Sequence, residues 1–334
     1  MPDVRVGTRS AVATVGQARA ADVTGGAAAL LRRCVATGTA LLLCADVAAA
    51  TFPMPPDGED LVGEAGTVIT SEADTLLDIG RRHGLGYGEM AAANPGIDPW
   101  VPGEATEVRL PTQFILPSGP RRGIVINLAQ MRLFYFPPAK RGQPREVVTY
   151  PLGVGRESRL PPLAESRVVR KASNPIWFPP ASIRAERRKE GEELPRAVPP
   201  GPDNPLGEYA LYLDLPGYLI HGTNRPWGIG MRVTGGCIRL YPEDIAALHA
   251  AVPVGTPVRI THEPFVLGRH AGALYLKVFP PLGEDVESEG RDHTPLVKAV
   301  LRRARKGDRV DWDAVMRAAH ERLGLAVRIT LPAH

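Results

Sequence analysis

Glycine and proline set the limits on this chain. It holds 35 Gly and 34 Pro in 334 residues, roughly a fifth of the sequence against about an eighth in an average protein. Proline removes a backbone donor and fixes φ, and glycine weakens helix interiors. Because the two are scattered along the length, long helices are excluded, and short strands joined by turns are the expected units. The scatter has no period, so the chain is neither collagen-like nor low in complexity, and no repeat of ~20–50 residues is present. Hydrophobic residues make up 44%, enough for a packed core.

The formal net charge is +4, with basic and acidic residues intermixed. No basic run is interleaved with aromatics, so a nucleic-acid partner is not indicated. Near the N-terminus, Arg32 and Arg33 precede a short apolar stretch over 35–47, followed by Ala48, Ala49 and Ala50. Positive, apolar and small segments in that order mark a secretory signal within a leader over 1–50. The stretch is too short, and too broken by Asp46, for a membrane span. Cys34 and Cys44 fall inside the signal, so the exported chain would keep one cysteine, Cys237. A lone thiol in an exported protein is either a buried hydrophobe or a reactive group.

Residues 51–63, rich in Pro, Gly and acids, are expected to be a linker. A small unit follows over 64–117: a strand at Val68 and Ile69, a helix from Ser71 to His83 capped by Ser71, a helix from Gly88 to Ala93, and a strand near Val108. Its DTLLDIG at 74–80, ANPGI at 93–97 and VPG at 101–103 resemble a LysM domain, which implies binding to N-acetylglucosamine-containing glycans. From 122 to 261 the chain becomes strand-rich. Residues 123–128 and 132–136 form an expected hairpin, with further strands at 147–150, 167–170 and 218–220 and a short helix at 242–251. The fold class is thus mainly β, a sandwich or barrel-like catalytic domain with a small α+β unit. Residues 262–334 are expected to be an accessory region, with a strand at 273–278, a charged stretch at 284–293, a basic amphipathic stretch at 295–306 and a helix at 312–323.

The chemistry concentrates between His221 and Cys237. An apolar strand delivers His221 at its end, and a Gly-rich excursion returns to Thr234, Gly235, Gly236 and Cys237. Glycines there let the backbone turn sharply and let a substrate approach. The N–H groups of Gly236 and Cys237 could then meet a developing oxyanion. A thiolate is the nucleophilic form of cysteine, and an imidazole beside it can generate that form. No CxxC or HxxxH spacing supports a zinc site, and no metal or organic cofactor is called for.

HGTN at 221–224 followed by TGGCIRL at 234–240, with YPEDI at 241–245, VGTPV at 254–258 and NPLG at 204–207, resembles the YkuD/ErfK family of L,D-transpeptidases. That resemblance implies Cys237 as nucleophile, His221 as general base oriented by the Gly222 carbonyl, and Arg239, Thr234, Gly235 and Gly236 around the oxyanion and donor site. It also implies peptidoglycan stem peptides and glycan strands as partners in the periplasm. The acyl group would pass from Cys237 to an amine, either a neighbouring stem or an outer-membrane lipoprotein. Hydrolysis on the same scaffold and non-catalytic peptidoglycan binding stay open. Two positions depart from the family pattern: Gly235 stands where a second histidine is common, and Ala164 stands where a loop glycine is common.

Overall fold

The computed structural model describes residues 50–155, 160–234, 236–280 and 292–332. The expected leader therefore lies almost wholly outside the described residues, as do Gly235 and most of the charged stretch at 284–293. Among the described residues no helix is long and apolar enough to cross a membrane.

The N-terminal third comprises β1 (Ala50–Pro53), β2 (Leu61–Val62), β3 (Gly66–Ile69), α1 (Leu76–Arg82), α2 (Tyr87–Ala93), β4 (Glu107–Leu110) and β5 (Phe114–Ile115). Next come β6 (Gly123–Asn127), β7 (Arg132–Phe136), β8 (Glu146–Pro151), β9 (Val154–Gly155), β10 (Ala164–Ser173), α3 (Ala181–Lys189), β11 (Tyr209–Leu213), β12 (Leu219–His221), β13 (Arg232–Thr234), β14 (Ile238–Arg239), α4 (Pro242–Ala251) and β15 (Pro257–Thr261). The C-terminal part holds β16 (Phe265–His270), β17 (Ala273–Val278), α5 (Thr294–Arg303), α6 (Trp312–Glu321) and β18 (Val327–Arg328). The molecule is mainly β, as the Gly and Pro content requires.

One nine-stranded mixed sheet, ordered β1-β8-β7-β6-β15-β10-β11-β12-β14, organises the molecule. One core draws on eight of these strands and on α4, with Ile126, Leu133, Val168, Leu211, Ile220, Ile238, Ile245 and Leu248 among its members. Every residue of β6 and β7 is buried, because these strands are covered twice. Alternate residues Val125, Phe134, Phe136 and Val147 point the other way, into a second core with Leu76, Ile79, Leu85, Met90, Val108 and Phe114. Strands buried on both faces are expected to read as near-continuous apolar runs, as GIVIN and LFYF do.

The small unit therefore shares its core with the sheet. β3 and β4 pair antiparallel with α1 and α2 between them in the chain. Buried Arg132 fastens the two: its guanidinium meets Glu89 at 2.7 and 2.8 Å, the Gly84 carbonyl at 2.8 Å and Thr149 Oγ1 at 3.1 Å. With all these groups partnered, the burial cost of the charge is met locally. Helix α1 starts later than expected. Thr75, not Ser71, is its N-cap, accepting from Asp78 N at 3.0 Å. Ser71 instead bonds the Asp74 carboxylate through both N and Oγ, forming a separate turn.

Residues 51–63 do more than link. Residues 50–53 add an edge strand to the sheet opposite β8, and Leu61 and Val62 are buried against β5. The polar composition misled because a two-residue strand needs only two apolar side chains. The C-terminal region has its own core over a three-stranded antiparallel sheet, including Leu274, Leu276, Val300, Val315 and Ile329. It is docked through Asp60, whose carboxylate takes Arg121, Arg303 and the Arg269 backbone N–H.

Candidate active site

The parallel pairing of β12 with β14 sets Ile220 opposite Ile238 and His221 opposite Arg239. Strand side chains alternate between faces, so the two isoleucines enter the core while Leu219, His221, Cys237 and Arg239 emerge on the opposite face. There they line one open groove of about 780 Å³. β14 is fixed from both sides: Arg239 exchanges two 2.9 Å hydrogen bonds with Gly153, and Leu240 N donates to the His221 carbonyl at 2.9 Å.

The His221 ring is buried, and its Nδ1 lies 2.7 Å from the Gly222 carbonyl oxygen. A carbonyl can only accept, so Nδ1 carries the proton and Nε2 is the unprotonated nitrogen of the neutral ring. Burial, with the Arg239 charge acting in the same direction, lowers the pKa of His221 to about 3. The imidazole is therefore neutral across the physiological range. Burial also pushes the Cys237 thiol above its usual value, with the Arg239 charge and a hydrogen bond with the Leu219 backbone opposing that shift. The resting pair is thus thiol and imidazole rather than thiolate and imidazolium.

Glycines shape the rest. Gly236 has φ +120°, a backbone that side chains rarely adopt. A Cβ on Gly207 would sit 2.8 Å from Thr223 N. The Asn204–Gly207 turn therefore packs directly against Gly222 and Thr223. Buried Asn204 organises that turn, donating to Pro175 O at 2.8 Å and accepting from Leu206 N at 2.9 Å.

The excursion between His221 and Cys237 is held by the N-terminal unit. Tyr87 N donates to Ile229 O and Gly88 N to Gly230 O, both at 3.1 Å, and the Tyr241 hydroxyl reaches Leu85 O at 3.3 Å. Arg81 forks onto Glu243 at 2.7 and 2.8 Å, tying α1 to α4.

Of the residues singled out from sequence, His221, Gly236, Cys237 and Arg239 meet in the groove, and Gly222 orients the ring. Thr234 ends β13 opposite Gly155. Ala164 begins β10 opposite Ile260 and is not among the residues of positive φ, so no glycine is needed there. The sequence reading missed the groove's far wall: Ile176, Trp177 and Phe178, Ser182 and Ile183 of helix α3, and Arg170 over the Tyr212 ring. An apolar triplet, Ile-Trp-Phe, inside a Pro-rich stretch was the available signal. Among the described residues no group of His, Cys, Asp and Glu is placed to hold a metal.

A face carrying a thiol, an oriented neutral imidazole and a guanidinium above a peptide-sized groove can perform thiol-dependent acyl transfer. The family model described as the L,D-transpeptidase catalytic domain, YkuD, matches residues 121–260. The Salmonella typhimurium protein named "Probable L,D-transpeptidase ErfK/SrfK" is 41% identical over 84% of this chain and 92% of its own length. Escherichia coli YcfS is 37% identical over 87% and 91%, and E. coli YbiS 39% over 86% and 94%. Both carry the same "Probable L,D-transpeptidase" name. The chain belongs to the L,D-transpeptidase family.

Proposed function

We propose that Cys237 is the nucleophile and His221 the general base of an L,D-transpeptidase acting on peptidoglycan stem peptides. The observation that carries this is the emergence of both side chains on one face of the β12–β14 pair, with Nδ1 of His221 held by the Gly222 carbonyl. As the sulfur bonds to the carbonyl carbon of the third stem residue, its proton passes to His221 Nε2. The N–H groups of Gly236 and Cys237 receive the oxyanion. The C–N bond then breaks, and the departing D-alanine amine takes the proton from His221. An imidazolium of low pKa is a strong acid, so this return is favourable. An acceptor amine attacks the thioester and loses a proton to His221; the C–S bond breaks, leaving a new amide, and His221 returns the proton to the Cys237 sulfur. Two half-reactions through one acyl-enzyme give ping-pong kinetics.

The chain is read as exported to the periplasm. Residues 64–117 are read as a LysM-like anchor on glycan strands. The acceptor is a neighbouring stem, giving a 3–3 crosslink, or the terminal amine-bearing residue of an outer-membrane lipoprotein. The test is incubation with a defined disaccharide-tetrapeptide, beside Cys237→Ala, with products read by mass spectrometry. A crosslinked dimer that has lost one D-alanine, absent from the variant, is expected. Tripeptide without dimer would mean hydrolysis, and no Cys237-dependent product would leave only glycan binding.

A further inference from the structure

The groove extends well beyond the reacting pair, and a fault in strand register decides what faces its far end. β10 pairs with β11 as Val168 with Leu213, then as Arg170 with Tyr212. One extra residue, Val169, is therefore inserted on β10, a β-bulge. Bulges re-aim side chains and gather near active sites. Without it, Val169 would stand opposite Tyr212 and Arg170 would turn toward the core face with Leu211. With it, Arg170 joins the row Arg170–Tyr212–Leu219 on the groove face. That row is the one next to Ala172–Ala210–His221–Arg239.

The Arg170 guanidinium lies 3.5 Å from the centroid of the Tyr212 ring. A guanidinium held over a ring face still has its N–H donors for other partners, the arrangement suited to a carboxylate fork. Arg170 makes no ion pair among the described residues, and the nearby Asp214 is taken by Arg167 at 3.1 Å. No carboxylate lines the groove among the described residues. At the other end, Arg239 Nε is buried without a hydrogen-bond partner. Among the described residues, the groove lining thus offers the Arg170 and Arg239 guanidinium groups and no acid.

We propose that Arg170, aimed by the Val169 bulge and held flat by Tyr212, binds a free carboxylate of the acyl donor and so selects anionic peptides over their amidated counterparts. Two strands across and two residues along place the Arg170 and His221 Cα atoms about 12 Å apart. An extended chain covers that in three to four residues at ~3.3–3.6 Å each, and in fewer once the arginine side chain reaches inward. The carboxylate is therefore on the acyl side of the scissile bond, near the donor's second residue. This rests on the transpeptidase reading of the groove.

The test uses two tetrapeptide donors differing only in a carboxylate or a carboxamide at the second residue. Wild type and Arg170→Gln are compared in turnover, and each is also made in a Cys237→Ala background for titration calorimetry. Arg170→Gln is expected to raise KM about tenfold for the carboxylate donor, hold kcat within about twofold, and leave the carboxamide donor unchanged. Calorimetry should show the same tenfold contrast, and Tyr212→Phe should behave as wild type. Equal losses on both donors would reduce Arg170 to a structural role, and an unchanged KM would remove it from recognition. If wild type turns over neither donor, the transpeptidase reading fails, while the calorimetric contrast still decides the role of Arg170.

Discussion

Replacing Gly230 by alanine isolates the link between the N-terminal unit and the nucleophile segment. Gly230 has φ +84°, and a Cβ there would lie 2.2 Å from Tyr87 N and 2.6 Å from the Gly86 carbonyl carbon. Alanine costs about 1–2 kcal/mol for the left-handed backbone alone. The clash must also part the two chains, which removes the hydrogen bonds from Tyr87 N and Gly88 N at about 1 kcal/mol each. The total is about 3–4 kcal/mol. Gly255 is the control: its φ is +90°, but nothing lies within 4 Å of its Cβ position, so Gly255→Ala carries only the backbone cost. At ~2–4 °C per kcal/mol, Gly230→Ala should melt about 4–8 °C below Gly255→Ala in calorimetry. Its kcat should fall more than tenfold, since the displaced segment leads directly to Cys237, whereas Gly255→Ala should keep wild-type turnover. Equal melting points and equal kcat in the two variants would refute the reasoning.

Three further outcomes follow from buried charge. Burial, then the neighbouring Glu243, raises the Asp244 carboxyl to about 7, and its Oδ2 has no hydrogen-bond partner. The folded state thus holds a proton that the unfolded state releases near 3.8. Stability from this group is full below pH 4 and is lost as pH rises to about 7, a loss of up to about 4 kcal/mol. Asp244→Asn should therefore melt with wild type at pH 4 and well above it at pH 8. The Cys237 thiol lies above its usual value and His221 near 3, so alkylation of Cys237 should climb steadily with alkaline pH, and a rate already at plateau near pH 6 would contradict a neutral pair. Glu89→Gln leaves the Arg132 charge buried with fewer partners and should cost about 3–5 kcal/mol by denaturant titration.

The chemistry was legible because it is local. His221 and Cys237 flank one excursion, and period-two alternation on two short strands suffices to bring them to one face. The hairpin at β6–β7 and helix α4 were legible too, since continuous apolar runs and a leading proline announce them. What escaped depends on distant partners. The edge strand β1 exists because β8 offers an unpaired side. Arg132 is tolerable in a core only because Glu89 and the Gly84 carbonyl, more than 40 residues away, receive it. The Val169 bulge leaves no mark in composition, so the facing of Arg170 could not be read from spacing.

The most direct test is intact-protein mass spectrometry on rapidly quenched enzyme with a tetrapeptide donor and no acceptor, followed by peptide mapping. The account predicts an adduct of donor minus D-alanine on Cys237, formed at least about a hundredfold more slowly in His221→Ala, in line with the usual worth of a positioned base. Donor consumed without any adduct on Cys237, or adduct formation unaffected by loss of His221, would contradict it.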